Sequence, residues 1–268
     1  MTDEWNTFFS DAPVDVEQEI FTTYPESKDV IEEFLRWRSE ESPEAKRHAI
    51  KPHVYHASEA GYCVRQLFYK HTGVEQEGEK PYGLFIIGEK VEDVVTEAYQ
   101  WKYGANRVKK LPIYRRIDDK FDITGATDLI IHHEDGTIAF QGEVKSNARG
   151  KNAVSSYTQL VQASMYAKIL DIPENRVIHP SRNDVLNIPA KDRRISKIEV
   201  DLYYDQAIGR FRQLDKAIEE NKLPPACPPE SKQCEFCNYK IRCQADGGWS
   251  EGPRGGMIAP KGMYDGDE

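Results

Sequence analysis

The stretch "GEVKS", residues 142–146, places a glutamate and a lysine two residues apart at the end of an extended run, "GTIAFQGEVKS". Side chains two residues apart in a strand point to the same face of a sheet, so Glu143 and Lys145 share a face. The preceding run, "FDITGATDLIIHH", carries Asp128. If the two runs pair through the turn "HHEDGT", Asp128 and Glu143 lie on neighbouring strands and face the same side.

Two carboxylates on one sheet face repel each other unless a cation joins them. Oxygen ligands suit a hard divalent cation such as Mg²⁺ or Mn²⁺. The ammonium group of Lys145 can hold a water beside such a metal, or stabilise charge that builds up on a phosphate. Two acids and a lysine around a metal can therefore hydrolyse a phosphodiester. The plainer alternative, an exposed Glu–Lys ion pair at two strand ends, stays open at this point.

The next segment, "NAVSSYTQLVQASMYAKILD" at 152–171, has helical spacing and is followed by Pro173. Gln162 and Tyr166 are four residues apart and therefore lie on one face of this helix. Their polar ends could bind a phosphate or orient a water, and the alternative is an ordinary polar edge of an amphipathic helix.

The remaining pattern predicts an α/β core with a central mixed sheet flanked by helices. Residues 58–71 read as a helix with Ser58 as its N-cap, and "KPYGLFIIGEKVEDVVTEAYQWKYG" as a longer helix that Gly104 ends. In that longer helix we expect Val91, Val94, Val95 and Ala98 to point inward. "VKKLPIYRRID" precedes the two acidic runs as a strand, and "YDQAIGRFRQLDKAIEEN" reads as the last helix. Three later segments read as further strands: "NRVIHPS", "DVLNIPA" and "ISKIEVDL".

Composition narrows the class of protein. The chain has 268 residues, 39% of them hydrophobic, and a net charge of −9, which argues against a wholly basic nucleic-acid binder. Local basic clusters such as Lys109, Lys110, Arg115 and Arg116 still leave DNA open as a substrate. The sequence shows neither a signal peptide nor a membrane span, so we expect a cytoplasmic protein without membrane contact.

Five cysteines form the second chemical feature. "CEFCNYKIRC" holds Cys234, Cys237 and Cys243 in the spacing C-x₂-C-x₅-C, which can wrap a metal centre. Cys227 could supply the fourth ligand of a local zinc site. Cys63, far upstream, could instead supply the fourth ligand of a 4Fe–4S cluster. The spacing alone leaves both alternatives open.

Taken in order, "GATD", "GEVK" and "QASMY" resemble the motifs Gly-x-x-Asp, Glu-x-Lys and Gln-x-x-x-Tyr of the PD-(D/E)XK nucleases of the RecB type. This match covers roughly residues 83–170. The resemblance implies Asp128, Glu143, Lys145, Gln162 and Tyr166 as the catalytic residues. It also implies that Asp128, Glu143 and the backbone carbonyl of Val144 bind the metal.

One position departs from that family. RecB-type nucleases usually carry a metal-binding histidine on the helix before the sheet, whereas "IIGEKVEDVV" has none. Glu92, four residues after Gly88, occupies the position by spacing, and a carboxylate can replace imidazole for a hard cation. We therefore predict Glu92 as a metal ligand, with Glu89 and Asp93 as competitors.

"SEAGYCVRQLFY" followed downstream by C-x₂-C-x₅-C resembles the iron–sulfur branch of these nucleases, which includes AddB-type nuclease domains and the CRISPR-adaptation exonucleases of the Cas-four family. The combined pattern covers about residues 55–245. It implies a structural 4Fe–4S cluster on Cys63, Cys234, Cys237 and Cys243, with Cys227 free. The expected fold is restriction-endonuclease-like, with a helical iron–sulfur subdomain that joins N- and C-terminal segments.

The expected domains are a flexible acidic arm at 1–27, one nuclease domain at 28–245 and a disordered tail at 246–268. Within the nuclease domain, the core spans about 83–202, and the iron–sulfur subdomain about 55–75 and 224–245.

The resemblance implies a metal-dependent DNA exonuclease that acts at single-stranded ends in recombination, repair, phage DNA processing or CRISPR adaptation. A helicase, a recombinase or a CRISPR integration complex would be its partner, and Arg65 and the Lys109–Arg116 cluster are candidate strand contacts. The alternatives are a non-catalytic DNA-end-binding or assembly subunit, which the altered position at Glu92 permits, and a zinc-stabilised structural or regulatory protein.

Overall fold

The computed structural model describes residues 33, 34, 36, 37, 50–77, 82–147, 153–181, 191–227, 233–248, 250, 251, 257 and 258. The chain divides into two compact units, Met1–Ala49 and Ile50–Glu268. In the first unit the described residues are helical, and the rings of Phe34 and Trp37 are 6.2 Å apart. The predicted arm at 1–27 and the predicted strand "DVLNIPA" lie outside the described residues.

The second unit alternates helices and strands. Its helices are α1 (Val64–His71), α2 (Tyr82–Tyr103), α3 (Tyr157–Ile169), α4 (Lys197–Glu219) and α5 (Lys240–Ala245), with short 3₁₀ turns at Ala57–Glu59 and Gln233–Phe236. Its strands are β1 (Val54–His56), β2 (Val108–Lys109), β3 (Pro112–Ile117), β4 (Phe121–Ala126), β5 (Leu129–His132), β6 (Ile138–Val144), β7 (Asn175–His179), β8 (Lys191–Ile195), β9 (Ser250–Glu251) and β10 (Met257–Ile258). No described helix is long and apolar enough to cross a membrane.

The strands form two mixed sheets with helices around them, which confirms the α/β class but corrects the prediction of one central sheet. One sheet has the order β1-β4-β3 and the other β2-β5-β6-β7-β8, while β9 pairs with β10. In the larger sheet β5 and β6 are antiparallel, and β6 and β7 are parallel.

The second sheet arises because a long two-stranded antiparallel ribbon is interrupted, so that it forms the pair β3 and β4 and the separate pair β2 and β5. The run predicted as one strand, "FDITGATDLIIHH", is divided into β4 and β5, which pair with β3 and β2 respectively. At the break Thr127 is buried, its Oγ1 accepts a hydrogen bond from Leu111 N at 2.9 Å, and its own N–H donates to Leu111 O. Because the ladder is interrupted there, the two halves of the ribbon enter different sheets, and Asp128 lies at the junction.

Two helix predictions are corrected. Residues 58–71 are not one helix with Ser58 as its cap; a 3₁₀ turn ends at Glu59, and α1 starts at Val64 with Cys63 at the N-cap position. The run "ISKIEVDL" is helical, because Ser196 and Glu199 form a capping box at the start of α4. The signal Ser-x-x-Glu is present in the sequence, but the alternation of apolar residues masked it.

Other predictions are confirmed. Helix α2 ends before Gly104, which has a φ of +93°, and α3 carries Gln162 and Tyr166 behind a capping box of Ser156 and Gln159. The predicted inward face of α2 is only partly correct, since Val94 is 54% exposed and Ala98 is also exposed. The main core lies around α1, α3, α4 and the smaller sheet, where Tyr55 and Phe211 stack.

The contact between the turn before α1 and the start of α3 gives a testable prediction. A Cβ added at Gly61 would lie 2.5 Å from the backbone Cα of Thr158, so Gly61→Ala must push the two segments apart. We expect a loss of about 1–3 kcal/mol in the free energy of unfolding, measured by urea denaturation.

Gly209 provides the matched control. It is exposed within α4 and has no atom within 4 Å of an added Cβ, so Gly209→Ala should stabilise the protein by up to about 1 kcal/mol. Equal effects of the two substitutions would show that the contact of Gly61 with Thr158 is unimportant.

Candidate active site

The antiparallel register of β5 and β6 brings the two predicted carboxylates together. Leu129 pairs with Gly142, so Asp128, one residue earlier, lies beside Glu143. The backbone N–H of Val144 donates a hydrogen bond of 2.8 Å to Asp128 Oδ2. The structure therefore places the two acids side by side at neighbouring strand ends, as the sequence predicts.

Glu143 is fully buried, with a residue exposure of 0%. Neither of its carboxylate oxygens accepts a well-formed hydrogen bond from the described part of the chain. Lys145 Nζ lies 2.6 Å from Glu143 Oε1, and this ion pair supplies the nearest opposite charge. Because the glutamate is buried, the pair differs from the exposed Glu–Lys bridge that the sequence left open.

The buried charges perturb one another. Burial, and then the charge of Glu143, raises the pKa of Asp128 to about 7, although Lys145 and the Val144 N–H act in the opposite direction. Burial likewise raises the pKa of Glu143 against the effect of Lys145. Burial alone would lower the pKa of Lys145, but the charges of Glu143 and Asp128 outweigh it and raise that pKa. One ammonium group is therefore shared by two carboxylates.

This donor set fits a divalent cation. Two carboxylates lie side by side, the oxygens of Glu143 are buried with only the Lys145 ammonium close by, and a single lysine cannot neutralise both acids. The ligand atoms are oxygens, which hard cations prefer, and the family of sites with paired acids uses such ions for phosphoryl chemistry.

Tyr166 approaches the same place from α3. Its side chain is buried, and its hydroxyl accepts a hydrogen bond of 3.2 Å from Gln162 Nε2. Burial, followed by the charge of Glu143, raises its pKa, so the hydroxyl stays protonated. A Cβ at Gly125 would lie 3.1 Å from Tyr166 Cε1, which gives the glycine of "GATD" a physical role: it leaves room for the tyrosine ring.

Glu92, on α2, is the acid of its segment that faces the site. Burial, and then the charge of Asp128, raises its pKa, whereas an ion pair with Lys110 opposes the shift. Asp93 is exposed and pairs with Lys90 at 3.2 Å, and Glu89 is exposed. The sequence placed Lys110 only in a surface basic cluster. In the structure it lies between β2 and β3, and its ammonium group reaches the acidic site through its ion pair with Glu92.

The sequence profile of the PD-(D/E)XK nuclease superfamily matches residues 15–244. The chain belongs to this superfamily.

Solved structures show the same fold at low sequence identity. Fourteen chains match, among them one described as "Crystal structure of SSO0001", with a TM-score of 0.54 and 14% identity. The alignment covers 81% of the present chain and 97% of that one. A search of curated proteins found no match. Members of the PD-(D/E)XK superfamily are typically metal-dependent nucleases, in agreement with the paired acids.

The five cysteines surround one cavity outside the acidic site. Its lining includes Cys63, Cys227, Cys234, Cys237 and Cys243. Cys227 Sγ lies 3.1 Å from Cys234 Sγ, and Cys227 is also hydrogen bonded to Cys63. The Cys227 thiol shares the cavity with the four predicted ligands, and its exclusion from the cluster stays a prediction.

Arg65 has a structural position rather than the predicted one on a DNA path. It is buried, and its Nε donates to Pro224 O at 2.7 Å. Its Nη1 lies 3.7 Å from Cys243 Sγ. The prediction that Arg65 contacts a strand is therefore corrected: its guanidinium joins α1 to the C-terminal segments.

A second group of potential ligands lies outside the predicted site, and no sequence motif marks it. Atoms of His53, Asp215 and Glu219 lie within 4.8 Å of one another. Asp215 Oδ1 lies 2.8 Å from His53 Nδ1 and accepts 2.7 Å from the Tyr55 hydroxyl. These hydrogen bonds already satisfy the buried carboxylate.

The raised pKa of Asp128 predicts how metal binding depends on pH. Its folded value of about 7 exceeds the ordinary carboxyl value of about 3.9, so the metal-free folded protein keeps a proton that a cation must displace. We expect the affinity for Mn²⁺ to rise from about pH 6 to about pH 8, with proton release detected calorimetrically in buffers of different ionisation enthalpy.

The same shift has a consequence for stability. Ionising Asp128 opposes folding, so this group's contribution to the stability of the metal-free protein falls as pH rises toward and through about 7. Asp128→Asn should reduce proton release and raise the melting temperature of the metal-free protein above that pH. A pH-independent affinity in the parent would contradict the assignment.

Proposed function

We propose that the chain is a metal-dependent DNA exonuclease acting at single-stranded ends. The nuclease activity is supported by one observation. In this member of the PD-(D/E)XK superfamily, the buried Glu143 lies beside Asp128, and its Oε1 is 2.6 Å from Lys145 Nζ. The exonuclease activity and the single-stranded substrate rest on the sequence resemblance to the iron–sulfur branch.

The proposed ligands are oxygens at the end of β6 and near it. Asp128, Glu143 and the backbone carbonyl of Val144 would hold Mg²⁺ or Mn²⁺, and Glu92 would join them by giving up Lys110. The cation, when bound, neutralises the carboxylates and polarises a phosphoryl oxygen. The hydrogen bond from the Val144 N–H to Asp128 fixes one ligand before any cation arrives.

The remaining groups act on the substrate. Lys145 keeps its ammonium charged and is partly exposed, so it can orient a water and stabilise negative charge on the phosphate. Tyr166 retains its hydroxyl proton, and Gln162 holds that hydroxyl in place, so the pair can position a phosphate or the water. The partner classes expected from the resemblance remain those of DNA processing: a helicase, a recombinase or a CRISPR integration complex.

The direct test is digestion of end-labelled single- and double-stranded DNA with Mg²⁺ or Mn²⁺. Glu143→Gln keeps the shape but removes a ligand charge, and Lys145→Met keeps the aliphatic stem but removes the ammonium. Each should lower kcat by about 100-fold or more, because each removes charge stabilisation at the reacting phosphate. Labelled single-stranded ends should be the preferred substrate.

Lys168→Met is the matched control. Lys168 Nζ lies 2.5 Å from Asp201 Oδ1 on the exposed side of α3. The substitution therefore removes a lysine–carboxylate ion pair that does not involve Asp128 or Glu143. Its kcat should stay near the parental value. A parent that binds DNA and Mn²⁺ but cuts neither substrate would instead support the non-catalytic end-binding role.

We further propose a structural 4Fe–4S cluster on Cys63, Cys234, Cys237 and Cys243. The support from the structure is that Cys63, from the segment before α1, lines the same cavity as the C-terminal trio. The fifth thiol keeps the alternative of a local zinc site, in which Cys227 replaces Cys63. Soft thiolate ligands suit either centre.

A pair of single substitutions distinguishes these centres. After anaerobic purification, Cys63→Ser should lose iron, sulfide and visible absorbance, while Cys227→Ser should retain all three. The physical reason is that only the four ligands of the cluster bind iron, whereas Cys227 is a neighbour. Zinc in the parent, lost with Cys227→Ser and kept with Cys63→Ser, would contradict the iron–sulfur proposal.

A further inference from the structure

His179, the last residue of β7, joins two segments that carry the proposed catalytic groups. Its side chain is buried, with 2% of the residue exposed. Its Nδ1 lies 3.2 Å from the backbone oxygen of Lys145, and its Nε2 lies 2.7 Å from Ser155 Oγ. The sequence placed this residue in a strand and assigned it no role.

The chemistry of the partners fixes the protons. A carbonyl oxygen only accepts hydrogen bonds, so Nδ1 must carry the proton in the contact with Lys145. In the neutral ring Nε2 is then an acceptor, and the Ser155 hydroxyl donates to it. The Lys145 carbonyl therefore selects the Nδ1–H tautomer, and the Ser155 hydroxyl is compatible with it.

The effect on Lys145 is to hold its main chain beyond the end of β6. The N–H of Lys145 donates to Ile178 O at 2.9 Å, and its carbonyl oxygen is held by the next residue of β7, His179. The next hydrogen bond along this parallel pair comes from Asn147, whose N–H donates to Pro180 O. The imidazole thus replaces a ladder hydrogen bond at the residue whose ammonium group pairs with Glu143.

The other arm of the imidazole reaches the helix of the third motif. Ser155 directly precedes Ser156, the N-cap of α3, and α3 presents Gln162 and Tyr166. One ring therefore bridges the strand end that carries Lys145 and the start of the helix that carries Tyr166. Reacting groups need such support, because a displacement of about 1 Å can cost about 100-fold in rate.

We propose that His179 is a positioning residue for Lys145, and that Ser155 sets its orientation. This inference rests on the proposed nuclease function and names a group that acts through the lysine rather than on the substrate.

Two substitutions separate the two arms of the ring. His179→Asn retains a donor near the Nδ1 position, whereas His179→Gln retains a polar group near Nε2 and lacks the donor to Lys145. We expect His179→Gln to lower kcat by about 10- to 100-fold with little change in KM for DNA, and His179→Asn to restore most of kcat.

His71→Gln makes the same chemical change at another histidine, whose side chain is 4% exposed and pairs with Glu59 at 3.3 Å. It should leave kcat near the parental value whatever it does to the melting temperature. Equal losses of kcat in His179→Asn and His179→Gln, or losses that only follow melting temperature, would overturn the proposal.

A spectroscopic readout keeps the test independent of nuclease activity. In ¹⁵N-histidine-labelled protein, His179 should show the Nδ1–H tautomer, and the ¹³Cε signal of Lys145 should move in His179→Gln but not in His179→Asn. An Nε2–H tautomer, or a Lys145 signal that is the same in every variant, would refute the positioning role. A parent without nuclease activity but with these signals would defeat the proposed function alone.

Discussion

The buried pair of Asp128 and Glu143 is the constraint on which the site depends. Two carboxylates in one dry place repel each other, and the raised pKa of Asp128, about 7, is the electrostatic sign of that cost. Natural folds keep such a pair where another component removes the repulsion. Lys145 removes part of it in the metal-free protein, and the remainder favours a divalent cation over a structural salt bridge.

The surrounding elements can be understood as the means of holding this pair. The break in the ribbon at Leu111 and Thr127 frees Asp128 from a regular ladder, so its carboxylate can turn to the Val144 N–H. The same break brings Lys110 to Glu92. On the opposite side Tyr166 packs against Gly125, where a larger residue would displace the ring. Gly125, Asp128 and Tyr166, which belong to separate sequence motifs or motif positions, therefore form one packed unit in the structure.

Much of this site could be predicted from the sequence, because the relevant spacings are local. Strand periodicity placed Glu143 and Lys145 together, and helix periodicity placed Gln162 and Tyr166 together. The division of the sheet could not be predicted, since it depends on one buried hydroxyl at Thr127 that pairs with a residue 16 positions away in sequence. The contacts of Lys110 with Glu92 and of His179 with Lys145 were missed for the same reason: each depends on a partner from another element, and neither partner has a fixed spacing. The start of α4 is different, because its capping box was readable and the apolar alternation obscured it.

Protein contacts alone hold the walls of the cysteine-lined cavity together. Helix α1 is tied to the C-terminal segments by hydrogen bonds that involve no thiolate, such as Arg65 to Pro224 O and the Tyr69 hydroxyl to Asp246 at 2.8 Å. Glu77 accepts hydrogen bonds from the first backbone N–H groups of α5. These contacts keep Cys63 near Cys243 although 179 residues separate them, so the chain itself bears much of the entropy of closing that loop. A metal bound by these thiols would therefore add stability to a junction that the protein contacts already form.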